Sequence, residues 1–289
     1  MHWDALGAGM AQVTRDSARK QGNNLNHLDF IVLPKFATVR IAVLSLILLF
    51  FGFLSLTQLV YTRNWNQTID VTIIPINADG HIVTADYINS LRTDNFTIID
   101  KWAEREARRH NLDLETPFKV TLGKEITELP PAWPSNDNWM AVLAWGLRFR
   151  WWAYQQTKDT HKGLTTVRMF VMYHEGDSDE PLAHSLGMQK GLLGLVHAYA
   201  LNEQTDQNNV VIAHELLHTV GATDKYSQYG SPKFPTGYAD MYRDPLFPQR
   251  YAEIMAGRIP TSEVTSYMAE SLRSAQINEF TALEINWIE

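Results

Sequence analysis

The sequence predicts an α+β domain that carries a metal-binding helix and stands behind a single transmembrane helix. Three observations lead there. Residues 41–61 form an uncharged, apolar run. Beyond it, β-branched alternating segments and amphipathic 3.6-period segments follow one another in the order strand, helix, strands, helix. Finally, the string HELLHTVGATD at 214–224 sets two histidines four residues apart on a predicted helix, with a glutamate beside the first. The expected organisation is an N-terminal segment 1–40, a membrane anchor 41–61 and an extracytoplasmic domain 62–289.

The anchor is read from length and polarity. A helix needs about 20 apolar residues to cross a bilayer, and only Ser45, Ser55, Thr57 and Gln58 interrupt residues 41–61. A cleaved signal peptide fits less well. Forty residues precede the run, and no small-x-small cleavage site follows it. Basic residues set the orientation. Arg15, Arg19, Lys20, Lys35 and Arg40 come before the run, whereas only Arg63 follows closely before Arg92. The N-terminus is therefore expected in the cytoplasm, as a single-pass protein of the cell inner membrane, with the domain in the periplasm or outside the cell.

Composition narrows the function classes. Five of the 25 Lys and Arg and three of the 32 Asp and Glu precede residue 62, which leaves the domain a net charge of −9. That argues against nucleic acid as a partner. Cysteine is absent, which excludes disulfides, thiolate-bound zinc and a thiol nucleophile.

The elements follow from local pattern. Residues 69–76 alternate and are β-branched, so they read as a strand. A helical stretch opens near Thr84, and 96–110 is a clearer helix with Ile99, Trp102, Ala103 and Ala107 on one face. Phe118–Leu122 is a second strand. Residues 138–157 form an aromatic-rich helix expected to pack on the sheet, with a lipid-interface placement as the alternative. Val167–Tyr173 is a strand, followed by an acidic loop (Glu175, Asp177, Asp179, Glu180) whose spacing matches no calcium loop. Residues 191–200 read as a strand and 201–209 as a polar linker, with Asn208 or Asn209 as the N-cap of the metal helix. From 227 to 250 the chain is loop, and 273–284 reads as a final helix. His174, His184 and His197 have no partner at ligand spacing and are read as structural or exposed.

The metal reading rests on geometry. His214 and His218 project from one helix face and can grip one ion, and Glu215 is placed to act as general base on a water. Gly221 can adopt positive φ and end the helix, and the turn brings Asp224 back as third ligand.

HExxHxxGxxD, with Asp224-Lys225-Tyr226, resembles the zinc signature of the metzincin metallopeptidases, in its snapalysin-like form. Glu253-Ile254-Met255-Ala256-Gly257 is similar to the Met-turn of that family. The resemblance spans roughly 165–285. It implies a two-lobed zincin domain with a mixed twisted sheet, an active-site helix and a C-terminal helix. It further implies Zn2+ held by His214, His218 and Asp224, with Met255 beneath the site and peptide or protein as substrate, bound at the edge of a strand just before the metal helix. Water in the fourth position would be activated by zinc and deprotonated by Glu215, and Tyr226 and Tyr251 are candidate oxyanion donors.

Two alternatives stand beside this. In one, the third ligand is a later glutamate, such as Glu253, Glu263 or Glu270. In the other, the protein is a non-catalytic extracytoplasmic binding or assembly protein with a structural zinc site. An intramembrane protease fits poorly, because HExxH begins about 150 residues after the anchor with no second apolar span around it. A reporter fused after Glu289 is expected to be active only outside the cytoplasm, and activity inside would reverse the orientation.

Overall fold

The computed structural model describes residues 35–134, 138–159, 165–176, 185–188 and 192–289. The chain divides into two compact units, Met1–Phe50 and Phe51–Glu289. Helix α1 (Lys35–Arg63) runs from one into the other. Its segment Thr38–Arg63 is the one helix among the described residues long and apolar enough to cross a membrane.

The second unit is mixed α/β. Strand β1 (Ile69–Asn77) is followed by α2 (Ile82–Ser90), a 3-10 turn (Thr93–Phe96), α3 (Thr97–Arg109) and β2 (Phe118–Leu122). Then come α4 (Trp139–Thr157), β3 (Val167–His174), β4 (Leu186–Met188) and β5 (Leu193–Tyr199). The five strands form one sheet in the order β2-β1-β3-β5-β4. The first four are mutually parallel, and β4 pairs antiparallel with β5 at the edge.

The layering follows from this order. The crossover β1-to-β2 steps one way along the sheet, and β2-to-β3 steps the other way past β1. Parallel crossovers share one hand, so opposite steps place their helices on opposite faces. Accordingly Val71 and Ile73 pack with α3 and with the helix that carries His214, whereas Ile74 and Ile76 pack with α4. A strand buried on both faces needs apolar residues at successive positions, and β1 has them.

Helix α5 (Thr205–Val220) lies on the α3 side, against β5 and β4. It starts earlier than the predicted linker allows, so Asn208 and Asn209 lie within it and neither is its N-cap. Instead the Asn208 side chain accepts from Tyr199 N (3.2 Å) and donates to Tyr199 O (2.9 Å), while Asn209 donates to Asn95 O (2.8 Å). Burial explains the change: two amides facing backbone groups of neighbouring elements satisfy those groups better there than at a solvated helix end.

The C-terminal region holds β6 (Ala252–Glu253), β7 (Arg258–Pro260), β8 (Ser266–Met268), β9 (Ala275–Gln276) and α6 (Glu279–Glu284). The helix expected over 273–284 is thus cut to six residues. Ala275 and Gln276 pair with Ala252 and Glu253. The Ala275 carbonyl also accepts from Trp102 Nε1 (2.9 Å) and Arg105 Nη2 (2.8 Å). These partners need an extended backbone. Asn278 then caps α6 through Thr281 N (3.0 Å).

Helix α4 has two contrasting apolar faces. Trp145, Phe149 and Trp152 are buried and stack in series, with Trp152 4.8 Å from the Phe170 ring. Trp151 is 64% exposed. Phe149→Ala is expected to cost about 3–5 kcal/mol of stability through the cavity it leaves, and Trp151→Ala within about 0.5 kcal/mol of nothing. Denaturant unfolding of the two variants in detergent measures this directly. Equal losses would mean that the two faces are not distinguished as described.

Candidate metal centre

Helix α5 presents His214, Glu215 and His218, whose ligand atoms lie within 4.8 Å of one another. Each imidazole is aimed by its other nitrogen. His214 Nδ1 donates to Ile254 O (2.9 Å), and His218 Nδ1 donates to Ala222 O (2.8 Å). A carbonyl only accepts, so both Nδ1 atoms carry the proton and both Nε2 lone pairs point inward. The two Nε2 atoms are 3.2 Å apart.

Asp224 closes the triangle. Gly221, at φ 112°, ends α5 in the left-handed region, with Ala222 N bonded back to Leu217 O (3.1 Å). The chain reverses, and Asp224 Oδ1 comes to 3.1 Å from both Nε2 atoms. Donors bound tetrahedrally to zinc at about 2.0–2.1 Å would sit ~3.3 Å from one another, so this donor set fits the ion. Burial alone would raise the Asp224 carboxyl. The two histidines beside it outweigh burial and hold the group well below the usual carboxylate range.

Glu215 stands apart from that triangle. It is buried, and its Oε2 has no hydrogen-bond partner among the described residues. Burial pushes its carboxyl upward, while His214 and His218 pull it back. The backbone N–H of Gly187 donates to it. Gly187 belongs to β4, and a Cβ there would meet Glu215 O at 2.2 Å and His218 Cβ at 2.6 Å. Only glycine lets the edge strand come this close to the helix. Strand β4 and Gly187 were missed from sequence, where Leu-Gly-Met carries no signal of its own. The resemblance implies an edge at the strand 191–200. In the structure β5 is internal, and β4 holds the edge because the antiparallel return covers it.

The second expected motif sits behind His214. Ala256 N and Gly257 N both donate to Glu253 O, Gly257 has φ 67°, and Met255 is fully buried. Besides holding His214 through Ile254 O, this turn accepts from Lys225 N through Met255 O (3.0 Å). Glu253 itself is committed elsewhere. Its oxygens accept from Thr281 Oγ1 (2.6 Å) and Ala256 N (3.0 Å). Glu263 and Glu270 are exposed and lie outside the cluster.

Helix α6 braces the ligand loop. Glu284 accepts from Thr223 N (2.8 Å), Thr223 Oγ1 (2.7 Å) and Lys225 Nζ (2.7 Å), the two residues flanking Asp224. The partners are about sixty residues apart in sequence, which is why local pattern could not find them. Tyr226 stacks on His214 (centroids 6.2 Å, 27°) and its phenol donates to Asp224. Burial, then the Asp224 charge, push that phenol up to about 12. Tyr251 is exposed, and no hydrogen bond ties it to the centre among the described residues. His174 and His197 are not isolated as expected: Nε2 of the first lies 2.9 Å from Nδ1 of the second. His184, Asp177, Asp179 and Glu180 lie outside the described residues.

No family model and no curated protein matches the chain. Among solved structures, it is similar to a chain in a chaperone–substrate complex at 14% identity and TM-score 0.39, covering 76% of this chain and 33% of that one. It is also similar to catalytically inactive OgpA from Akkermansia muciniphila, solved with an O-glycopeptide substrate, at 11% identity and TM-score 0.33, covering 76% and 59%. The chain thus spans about a third and about three fifths of those two. At these scores neither likeness bears on fold or function.

Glu253 gives the centre's surroundings a pH dependence. Burial pushes its carboxyl up to about 7, against the pull of Thr281 and Lys225. The unfolded chain ionises this group near pH 4.5, the folded protein only near 7. Its contribution to stability is therefore lost as pH rises between those values, by an amount on the order of 3 kcal/mol. Glu253→Gln should flatten the fall in Tm between pH 5 and 7.5. An unchanged slope would assign it to other groups.

Proposed function

We propose that this protein is a membrane-anchored, zinc-dependent endopeptidase of metzincin type. Its anchor α1 would leave the N-terminus in the cytoplasm and place residues 62–289 outside. The observation that carries the proposal is the convergence of His214 Nε2, His218 Nε2 and Asp224 Oδ1 on one point, beside a buried carboxylate oxygen of Glu215 that has no partner among the described residues. A purely structural site has no use for such a carboxylate. It would be better satisfied by a donor.

His214, His218 and Asp224 would hold the ion, and the donor set of two imidazoles and one carboxylate suits zinc. Zinc, when bound there, supplies a Lewis acid that acidifies a water molecule and polarises a carbonyl. Glu215 takes the proton from the attacking water and returns it to the leaving amine, a task helped by a carboxyl already raised by burial. Of the two candidate oxyanion donors, Tyr226 is the one with a contact at the centre, its phenol lying at Asp224. The outer edge of β4 is unpaired among the described residues. An extended peptide would add to it as a further strand, directly above Glu215.

Measurement of bound zinc and of peptide-library cleavage by the full-length protein in detergent tests this. Glu215→Ala should keep one zinc and lose turnover by about 10²–10⁴. Asp224→Ala should lose zinc affinity sharply, while Glu253→Ala should not. Undiminished cleavage by Glu215→Ala would sink the peptidase reading and favour the binding-protein alternative. Collapse of affinity in Glu253→Ala alone would move the third ligand to the glutamate.

A further inference from the structure

The geometry points to a second contact between this protein and the bilayer. We propose that the outer face of α4 lies in the lipid headgroup region of the membrane that α1 anchors. Trp139, Met140, Leu143, Leu147, Trp151 and Tyr154 line that face, each more than half exposed. They recur at helical spacing, so they form one continuous stripe. A contiguous exposed apolar stripe of this kind is what marks an interaction surface on a protein. The core cannot be its destination, because the opposite face of the same helix already fills that role.

Three observations select a bilayer as the occupant. The first is composition. Trp and Tyr at both ends of an otherwise aliphatic stripe are the residues that favour the boundary between hydrocarbon and water. The second is charge. Helix α4 contains no acidic residue and carries Arg148 and Arg150, in a domain whose net charge is −9. This is the face that anionic headgroups would accept; elsewhere the acidic surface would be repelled. The third is reach. Only residues 64–68 separate the end of α1 from β1, so the domain stays within about 17 Å of the anchor's end. Val71 pairs with Val167 at the start of β3. Arg168 Nη1 donates to Thr157 Oγ1 at the C-terminus of α4 (2.9 Å). The Trp151 and Tyr154 end of the stripe therefore lies at the same end of the sheet as the tether.

The proposal rests on the reading of α1 as a transmembrane anchor, and its test keeps the two separable. The protein has no cysteine, so single cysteines can carry a nitroxide without background. Full-length protein bearing Leu147→Cys, Trp151→Cys, Lys101→Cys or Leu48→Cys is reconstituted into vesicles of phosphatidylcholine and phosphatidylglycerol. Protein is kept scarce enough that most vesicles hold one copy. Collision rates with oxygen and with a water-soluble nickel chelate are then read by EPR. Labels at 147 and 151 should show an oxygen-to-nickel ratio several-fold above that at 101, which sits on an exposed position of α3. The label at 48 should show the deepest insertion. Ratios at 147 and 151 equal to that at 101, with 48 inserted, would overturn the proposal and leave the anchor standing. A water-exposed label at 48 would overturn the anchor and the proposal with it. Protection at 147 that appears only when several copies share a vesicle would also overturn it, and would assign the stripe to contact between copies.

Discussion

Two backbone carbonyls fix the direction in which both imidazoles of the candidate metal centre face. Ile254 O and Ala222 O take the Nδ1 protons of His214 and His218, and in doing so turn both Nε2 lone pairs toward one point. Helical spacing alone brings the imidazoles to the same side of α5. It leaves their ring rotation free, and a ring turned by half a revolution presents a donor where a metal needs a lone pair. One carbonyl comes from the turn that ends the helix at Gly221, the other from Ile254, forty residues after the histidine it orients. The centre is therefore local on one side and long-range on the other.

The long-range side accounts for much of the remaining architecture. The turn bearing Ile254 is fixed by its own backbone, by Lys225 N and by Glu253, which reaches Thr281 on α6. Glu284, one turn further along α6, holds the residues on either side of Asp224. A six-residue helix with little stability of its own thus positions both Asp224 and the group that orients His214. The half-buried Lys225–Glu284 pair is better read as a positional device than as a source of stability, since desolvation of the lysine offsets much of its attraction.

Legibility in the sequence tracked the range of the interactions. Strands β1, β2 and β3, helices α3 and α4, and the turn at Gly221 were readable because period, β-branching and the demand for positive φ are local properties. The triplet His214, Glu215 and His218 was readable for the same reason. Asn208 and Asn209 misled: they carry a cap's chemistry, but buried backbone groups of Tyr199 and Asn95 claimed them. The final helix misled likewise, because its first half has helical composition while Trp102, Arg105 and the β6 backbone require it extended. Strand β4 was invisible. Three residues with one glycine acquire meaning only from the helix they approach.

Helix α3 links these points. Its buried Glu106 accepts from Arg105 Nε and Arg109 Nε, and also from Ile277 N (3.0 Å), while His110 and Arg109 reach the Ile277 carbonyl. A helix that contributes none of the candidate ligands thereby ties the segment carrying β9 and α6 to the sheet. That segment in turn carries β6, the turn at Met255 and the brace on Asp224. The candidate ligand atoms come from two parts of the chain whose mutual placement α5 does not set. A carboxylate sealed from water and filled by three donors resists displacement, because each donor it abandoned would be left buried and unpaired. The stiffness that keeps Asp224 3.1 Å from both imidazoles is supplied in part from across the core.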